Sequence, residues 1–264
     1  MDSNHDLYTA ILSQHTSNLF FFDFDSHIFY LAKSPYLLVY LVYSSNAMPV
    51  ATFKKDLEPE DLSGELVDHG RLKLLDILGS GAYGQVYKAL DFTSPSRNPA
   101  YFAVKCMRKP ARSHSRLAKL QKREISTHIQ LSSHPNIVTF HRTFVDKVRK
   151  ESYVFVVMDL CEGGDLFATI VEQRVFQYRD DLVKAIFVQL IDALHCCHQA
   201  GIFHRDIKPE NYLVSKDGST VYLADFGLST KDAITDCHGI GSSYYMSPGE
   251  LFHSPSSCKF SSAA

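Results

Sequence analysis

Net charge is almost absent from this chain: 27 Lys and Arg stand against 29 Asp and Glu, a formal charge of −2 at pH 7. So balanced a protein has no overall field to gather nucleic acid or to coat an anionic membrane, which excludes a general electrostatic binder of either kind. Disulfide-like spacing is missing too. Cys106, Cys161, Cys196, Cys197, Cys237 and Cys258 are scattered, and the N-terminus lacks a basic segment followed by an apolar run and a small-residue cleavage site. Reduced thiols in the cytoplasm or nucleus are the expectation. His195-Cys196-Cys197-His198 has metal-ligating residue types, but neighbours on a helix point about 100° apart, so four in a row do not converge on one tetrahedral ion.

Long apolar runs are missing as well. The segment LFFFDFDSHIFYLAKSPYLLVYLVY is broken by Asp23, Asp25, His27, Lys33 and Pro35. Each Asp or Lys at the centre of a span costs about 2.5–3.5 kcal/mol. Its clean stretch, Tyr36 to Tyr43, falls far short of the roughly 20 residues that cross a bilayer. Residues 1–69 are therefore expected to be a poorly ordered or atypical extension. Met48 opens a polar stretch with KKDLEPEDLSGELVDHG as the lead-in to a domain.

What is present is an ordinary globular composition, 264 residues with 45% hydrophobic and 21% charged, enough for one large domain or two lobes. From Arg71 onward RLKLLDILGSG, GQVYKALDF and YFAVKCM alternate with period two between turn residues, which predicts antiparallel strands. Leu117 to Leu131 reads as a helix. Phe140–Val145 and Tyr153–Met158 read as strands, and EGGDLFATIVEQ opens a second helix. In DDLVKAIFVQLIDALHCCH, Leu182, Ile186, Leu190, Ala193 and Cys197 recur at spacings of three and four, one apolar helix face, and Gly201 closes the helix. Strands first and helices later predict a two-lobed α+β protein: a small lobe over 70–158, part of a large lobe over 159–250 and a disordered tail over 251–264.

Three loops carry chemistry-bearing residues. GSGAYGQVY sets Gly79, Gly81 and Gly84 between two strands, where bare amides suit phosphate oxygens. A dinucleotide-binding turn needs a helix after its glycines, and QVYKAL reads as strand. In YFAVKCM, Ala103 and Lys105 share a face, so a flat base fits against the small residue while the ammonium reaches phosphate; Glu124, on the helix, is the carboxylate to hold that ammonium. FHRDIKPEN and YLADFGLS bring two acids, an amide and a lysine into loops beside short strands, as suits a divalent metal and a nucleophilic hydroxyl.

Taken together in this order, the glycine loop, strand lysine, helix glutamate, HRD loop and DFG triplet resemble a eukaryotic protein kinase of the Ser/Thr type over Leu72–Pro248. GIFHRDIKPEN, LADFGLST and GSSYYMSP add a narrower likeness to fungal regulatory kinases of the meiosis-restraining Ran type. The resemblance implies ATP and Mg²⁺ as cofactors and a protein Ser or Thr as acceptor. It implies that Gly79, Ser80, Gly81, Ala82, Tyr83 and Gly84 cover the phosphates. Lys105 contacts them and pairs with Glu124, and Asn211 and Asp225 hold the metal. Asp206 takes the hydroxyl proton, with Lys208 and Ser242 beside it. Val86, Ala103 and Leu213 sandwich the base, Met158 backs its pocket, and Asp159–Cys161 offer it backbone groups. Asp165 lies beside the nucleotide; with Glu210 it also faces residues upstream of the acceptor, so a preference for Arg or Lys there is expected.

Departures from the family pattern shape three further expectations. His238 stands where many relatives carry a phosphorylated Thr that pairs with Arg205, leaving Thr230 and Thr235 as nearby loop acceptors. Gly249 replaces the glutamate after Ser247-Pro248, and LFHSPSSCKFSSAA follows where large-lobe helices belong. The chain thus reads as truncated, with the Asp181–His198 helix expected to expose its apolar face. An active kinase, a nucleotide-binding or interaction module without turnover, and a non-functional fragment all remain open.

Overall fold

Alternating side chains build a six-stranded antiparallel sheet, in the order β4-β5-β6-β7-β9-β8. Its strands are β4 (Leu66–Val67), β5 (Leu72–Gly81), β6 (Gly84–Asp91), β7 (Ala100–Arg108), β8 (Phe140–Val148) and β9 (Glu151–Asp159). The computed structural model describes residues 60–81, 84–232 and 241–246. It also describes the strands β1 (Phe20–Asp23), β2 (Ile28–Ala32), β3 (Leu38–Val42), β12 (Ile234–Thr235) and β13 (Cys258–Lys259). In β6 the alternation is strict, with Gln85, Tyr87, Ala89 and Asp91 buried between half-buried neighbours. Both long strands near the hinge outrun the sequence pattern: β8 and β9 continue to a tight turn at Arg149 and Lys150, which take positive φ.

The expected boundary at residue 70 cuts through this lobe. Leu62 and Val67 are 1% and 0% exposed and pack with Leu72, Leu74 and Tyr87. The Leu62 amide donates to the Tyr87 hydroxyl at 2.9 Å, and Tyr87 donates to Gln85 Oε1 at 2.7 Å. Apolar residues inside a polar lead-in thus close one edge of the sheet. Within the first 59 residues, β1, β2 and β3 form an antiparallel three-stranded meander; the rest of the expected extension lies outside the described residues.

Helix α1 (Arg116–Leu131) begins where Ser115 Oγ accepts from the Ala118 amide at 3.2 Å. Its inner face, Gln121, Glu124, Thr127, His128 and Leu131, is buried. Helix α2 (Leu166–Val171) is capped by Asp165, whose Oδ1 accepts from the Ala168 amide at 2.8 Å. Helix α3 (Asp180–Gln199) ends at Gly201 with φ +67, as its sequence signal predicts.

The apolar face of α3 is not left open. Ile186, Ala193 and Cys197 are buried, and Leu182 and Leu190 pack against the same core; Leu166, Tyr212, Val214, Val221, Leu223 and Phe226 cover it from within the chain. The hairpin of β10 (Tyr212–Val214) and β11 (Val221–Leu223) supplies most of that cover, each buried Ile or Leu contributing about 1.5–3 kcal/mol. Val188 is 66% exposed on the helix's other side. The exposure expected for this face is corrected for Ile186, Ala193 and Cys197, which the β10–β11 hairpin and its neighbours bury, while Leu182 and Leu190 are half-buried. In the expected disordered tail, β13 pairs antiparallel with β12 through Ile234–Lys259 and Thr235–Cys258; the remainder lies outside the described residues. Among the described residues no helix is long and apolar enough to cross a membrane.

Candidate functional site

Strand pairing gathers the residues expected around a base. Val86 lies opposite Lys105, Lys88 opposite Ala103, and Ala103 and Lys105 opposite Met158 and Val156, so these side chains share one face of the sheet. Ala103 is 5% exposed and half-buried Val86 and Met158 flank it. In the other lobe, half-buried Leu213 is bridged to Asp165, at the start of α2. Gly163 makes that close pairing feasible: a Cβ there would sit 2.4 Å from the Ser215 carbonyl oxygen. Cys161 is half-buried and its thiol is pushed up to about 12 by burial and then by Asp159, so it stays protonated. Asp159 is engaged with His141, Nε2 to Oδ1 at 2.6 Å.

The glycine loop is a tapering hairpin in which Gly79 pairs with Val86, Ser80 with Gln85 and Gly81 with Gly84. Its glycines do different things. A Cβ on Gly84, at φ +153, would meet the Cys106 carbonyl oxygen at 2.2 Å, so this glycine seats β6 on β7. Among the described residues nothing lies within 4 Å of a Cβ on Gly79, and only the Gly84 carbonyl oxygen, at 3.9 Å, lies near one on Gly81, which leaves space beside their backbone. Ala82 and Tyr83, expected to cover the phosphates, lie outside the described residues.

A chain of charges crosses the cleft. Lys105 Nζ donates to Glu124 Oε1 at 2.6 Å and to Asp225 Oδ1 at 3.0 Å. Desolvation alone would lower the lysine's pKa, but Glu124 and Asp225 outweigh it and raise it, so the ammonium persists. Burial raises Glu124 despite Lys105. For Asp225 burial also pushes upward, yet Lys105 and the Gly227 amide hold it below the ordinary carboxylate value. Asp225 takes φ +57, a strained backbone, and its carboxylate is crowded by protein on one side yet open to solvent on the other, with 51% of the side chain exposed, so its desolvation is only partial.

The loop cluster centres on Asp206. Oδ2 accepts from Lys208 Nζ at 3.0 Å and from Asn211 Nδ2 at 2.9 Å; Oδ1 accepts from the Ser242 amide and hydroxyl, both at 2.9 Å. Lys208 also donates to Ser242 Oγ at 2.7 Å. Burial pushes Asp206 up, but the bonds from Lys208, Asn211 and Ser242 prevail and its pKa is lowered. The three residues expected around the acceptor hydroxyl, Asp206, Lys208 and Ser242, are therefore in direct contact, and Asn211, expected at the metal, joins them. Asn211 donates only from Nδ2, to Asp206 Oδ2 and to the Asp206 carbonyl, which keeps its amide oxygen as an acceptor. The Ala224 amide bonds the Asn211 carbonyl at 2.8 Å, setting Asn211 next to Asp225. A carboxylate and an amide oxygen are the hard donors Mg²⁺ takes when it arrives on phosphates, so the residue set fits that ion.

Two supporting residues escaped the sequence reading. His204 is buried and kept neutral by desolvation; its Nε2 lies 3.1 Å from the Ala224 carbonyl, Nδ1 accepts from the Asp206 amide at 3.3 Å, and its ring meets Phe226. It thereby ties the HRD loop to the DFG segment; the signal was its place in FHRDIKPEN. Gly241, at φ +122, has no room for a side chain, since a Cβ would lie 2.6 Å from the Arg205 carbonyl oxygen. Its signal was the glycine before Ser242. Thr230, expected as an exposed loop acceptor, is 3% exposed and locked in a two-way backbone pair with Phe203. Arg205 Nε donates to the Leu228 carbonyl at 2.7 Å; His238 and the Thr235 side chain, like Ser247 to Glu250, lie outside the described residues.

Comparison with known proteins accords with this geometry. The family model described as protein kinase domain matches residues 72–262, so the likeness runs past Pro248, where the motifs by themselves stop. The negative regulator of sexual conjugation and meiosis of Schizosaccharomyces pombe is 44% identical over 190 residues, covering 72% of this chain and 38% of that protein. Serine/threonine-protein kinase ksp1 of the same yeast is 37% identical, covering 66% and 36%, and serine/threonine-protein kinase VHS1 of Saccharomyces cerevisiae is 34% identical, covering 66% and 46%. The chain spans less than half the length of each. With a family match over most of its length and an α+β architecture to go with it, the chain belongs to the protein kinase family, as its similarity to these fungal proteins also indicates.

Proposed function

We propose that the chain is an ATP-dependent protein kinase that transfers the γ-phosphoryl group to a Ser or Thr hydroxyl of a protein. The observation that carries this reading is the Asp206 carboxylate, kept ionised and aimed by Lys208, Asn211 and Ser242 at 2.9–3.0 Å. A lone carboxylate in a loop adopts many rotamers; one braced on both oxygens presents a fixed acceptor to an incoming hydroxyl proton. Lys208, shared between Asp206 and Ser242, places positive charge where the transferring phosphoryl group gathers negative charge. On the small-lobe side Lys105, fixed by Glu124, positions the nucleotide phosphates under open Gly79 and Gly81. Asp225 and the Asn211 amide oxygen would hold Mg²⁺, which would supply charge neutralisation to the phosphates.

Asp206→Asn tests the assignment. Phosphate transfer to a basic Ser-containing peptide is expected to fall by about 10²–10⁴-fold, the usual share of a general base. The thermal shift given by Mg·ATP is expected to persist, since ligand binding to the folded state raises its stability. Undiminished transfer in that variant would sink the reading.

A preference for Arg or Lys upstream of the acceptor is part of the same proposal. Glu210 is exposed on the turn Pro209–Asn211, and half-buried Asp165 spends Oδ1 on its helix cap. A positional peptide library that shows no enrichment of basic residues would remove it. A reducing compartment, cytoplasm or nucleus, is supported by the free thiols of Cys106, Cys161, Cys196 and Cys197.

A further inference from the structure

We propose that the outer face of α1, together with the loop before it, is a docking surface for an acidic segment of a partner protein. Residues 108–123 hold seven Lys or Arg and no Asp or Glu, in a chain whose overall charge is −2. Arg108 is paired with Glu151 at 2.7 Å. Lys109, Arg112, Arg116, Lys119 and Lys122 are exposed, and among the described residues none of their side chains makes an ion pair or hydrogen bond. Arg123 adds a buried Nε without an acceptor among the described residues.

The arrangement works against the isolated fold. Arg116, Lys119 and Lys122 recur every three residues, so like charges neighbour one another along one face. They also crowd the first turns of a helix, where the dipole favours anions, and α1 has no acidic residue in its first turn. Anionic side chains laid along that face relieve both penalties at once, and this charge complementarity defines the partner.

Other anions fit less well. Between 108 and 123 there is no aromatic residue for bases to stack on, which single-stranded nucleic acid favours. Leu117, 40% exposed, is the one large apolar side chain in this stretch that is open to solvent, too little for insertion into a lipid surface. Among the described acids of the polar lead-in, Glu60 and Glu65 pair with Arg149 and Asp68 with Arg142, and Asp61 accepts from the Ser63 amide, so none of them covers this face and its occupant is assigned to another protein. The consequence for the site is direct: α1 carries Glu124 on its opposite face, so a partner that steadies the helix steadies the Lys105–Glu124 pair.

Fluorescence anisotropy of a labelled Glu- and Asp-rich peptide against the full chain tests this. Binding is expected at low salt, to weaken steeply as salt screens the face, and to drop at least about tenfold in Lys119→Glu/Lys122→Glu. The milder Lys119→Ala/Lys122→Ala covers the case in which charge reversal impairs folding, and it is expected to weaken binding by several-fold. Retention of the Mg·ATP thermal shift in both variants separates this surface from the transfer site. Absence of peptide binding, equal binding by both variants, or displacement of the peptide by oligouridine or by phosphatidylserine–phosphatidylcholine vesicles as readily as by unlabelled peptide would overturn the proposal.

Discussion

Lys105 and Asp206 both belong to the candidate site but are held by different physics. Lys105 sits in a sheet and is fixed by two carboxylates brought from α1 and from the DFG segment, 19 and 120 residues away. Its partners are ions, and Glu124 is out of water, so removing the single cation leaves a buried carboxylate without its partner. Asp206 is fixed by Lys208 and Asn211, two and five positions along its own loop, and by Ser242 from 36 residues away. Hydrogen bonds to several donors share the load there, so no single one decides the geometry. The comparison teaches that small-lobe damage should unfold or disarm the protein abruptly, whereas damage around Asp206 should be graded.

The largest expected effect follows from removing the cation. Lys105→Met leaves Glu124 buried without its partner, and chemical denaturation is expected to show a loss of about 3–5 kcal/mol, with transfer abolished. Adding Glu124→Gln should restore much of the stability and none of the transfer; a double variant no more stable than Lys105→Met would break the contrast. Gly84→Ala comes next, at about 2–3 kcal/mol or more, because its Cβ strikes the Cys106 carbonyl on β7. Gly79→Ala, with open space beside it, should leave the melting temperature nearly unchanged and weaken the Mg·ATP shift instead.

On the loop side, Ser242→Ala removes a hydroxyl but not the Ser242 amide bond to Asp206, so transfer is expected to drop about tenfold without unfolding. Acid should expose the same network. Asp206 and Asp225 titrate lower in the folded chain than in the unfolded one, so the folded state binds fewer protons. The stability this provides is complete above the ordinary carboxylate value, about 4, and is lost as pH falls through the folded values. Glu124, raised by burial, has the opposite sign and offsets part of the loss. Melting temperatures from about pH 5 down to about pH 2 should fall less steeply for Asp206→Asn than for the parent; parallel curves would refute the role of Asp206.

The smallest effect concerns a residue outside the cleft. Among the described residues the buried Tyr212 hydroxyl has no hydrogen-bond partner, and burial raises its pKa. Tyr212→Phe removes that unsatisfied group and is expected to stabilise the chain by about 1 kcal/mol, read as a rise in melting temperature.

Much of the site could be read in one dimension because its members occupy fixed spacings in short loops. Asp206, Lys208 and Asn211 share six residues, and period two places Ala103 and Lys105 on one face whatever the rest of the chain does. The α3 stripe is legible for the same reason. What covers that stripe is not, because periodicity reports that a face is apolar and says nothing about which element fills it; β10 and β11 do so here. The N-terminal edge of the sheet was hidden for a related reason, since Leu62 and Val67 are single apolar residues in a charged lead-in and acquire meaning only when β5 and β6 lie beside them.

Sequence by itself determined the reactive groups of this protein, their order and the local geometry of each loop, because bonded spacing and backbone period are carried by neighbours along the chain. The tertiary structure alone decided which of three similar glycines is a packing requirement and which are open, that Thr230 is buried, and that Ser242 reaches Asp206 across 36 residues. It also decided that the basic face of α1 finds no acid within the described residues. Those outcomes depend on distances between segments far apart in sequence, and such distances are set by how the core closes rather than by any local preference.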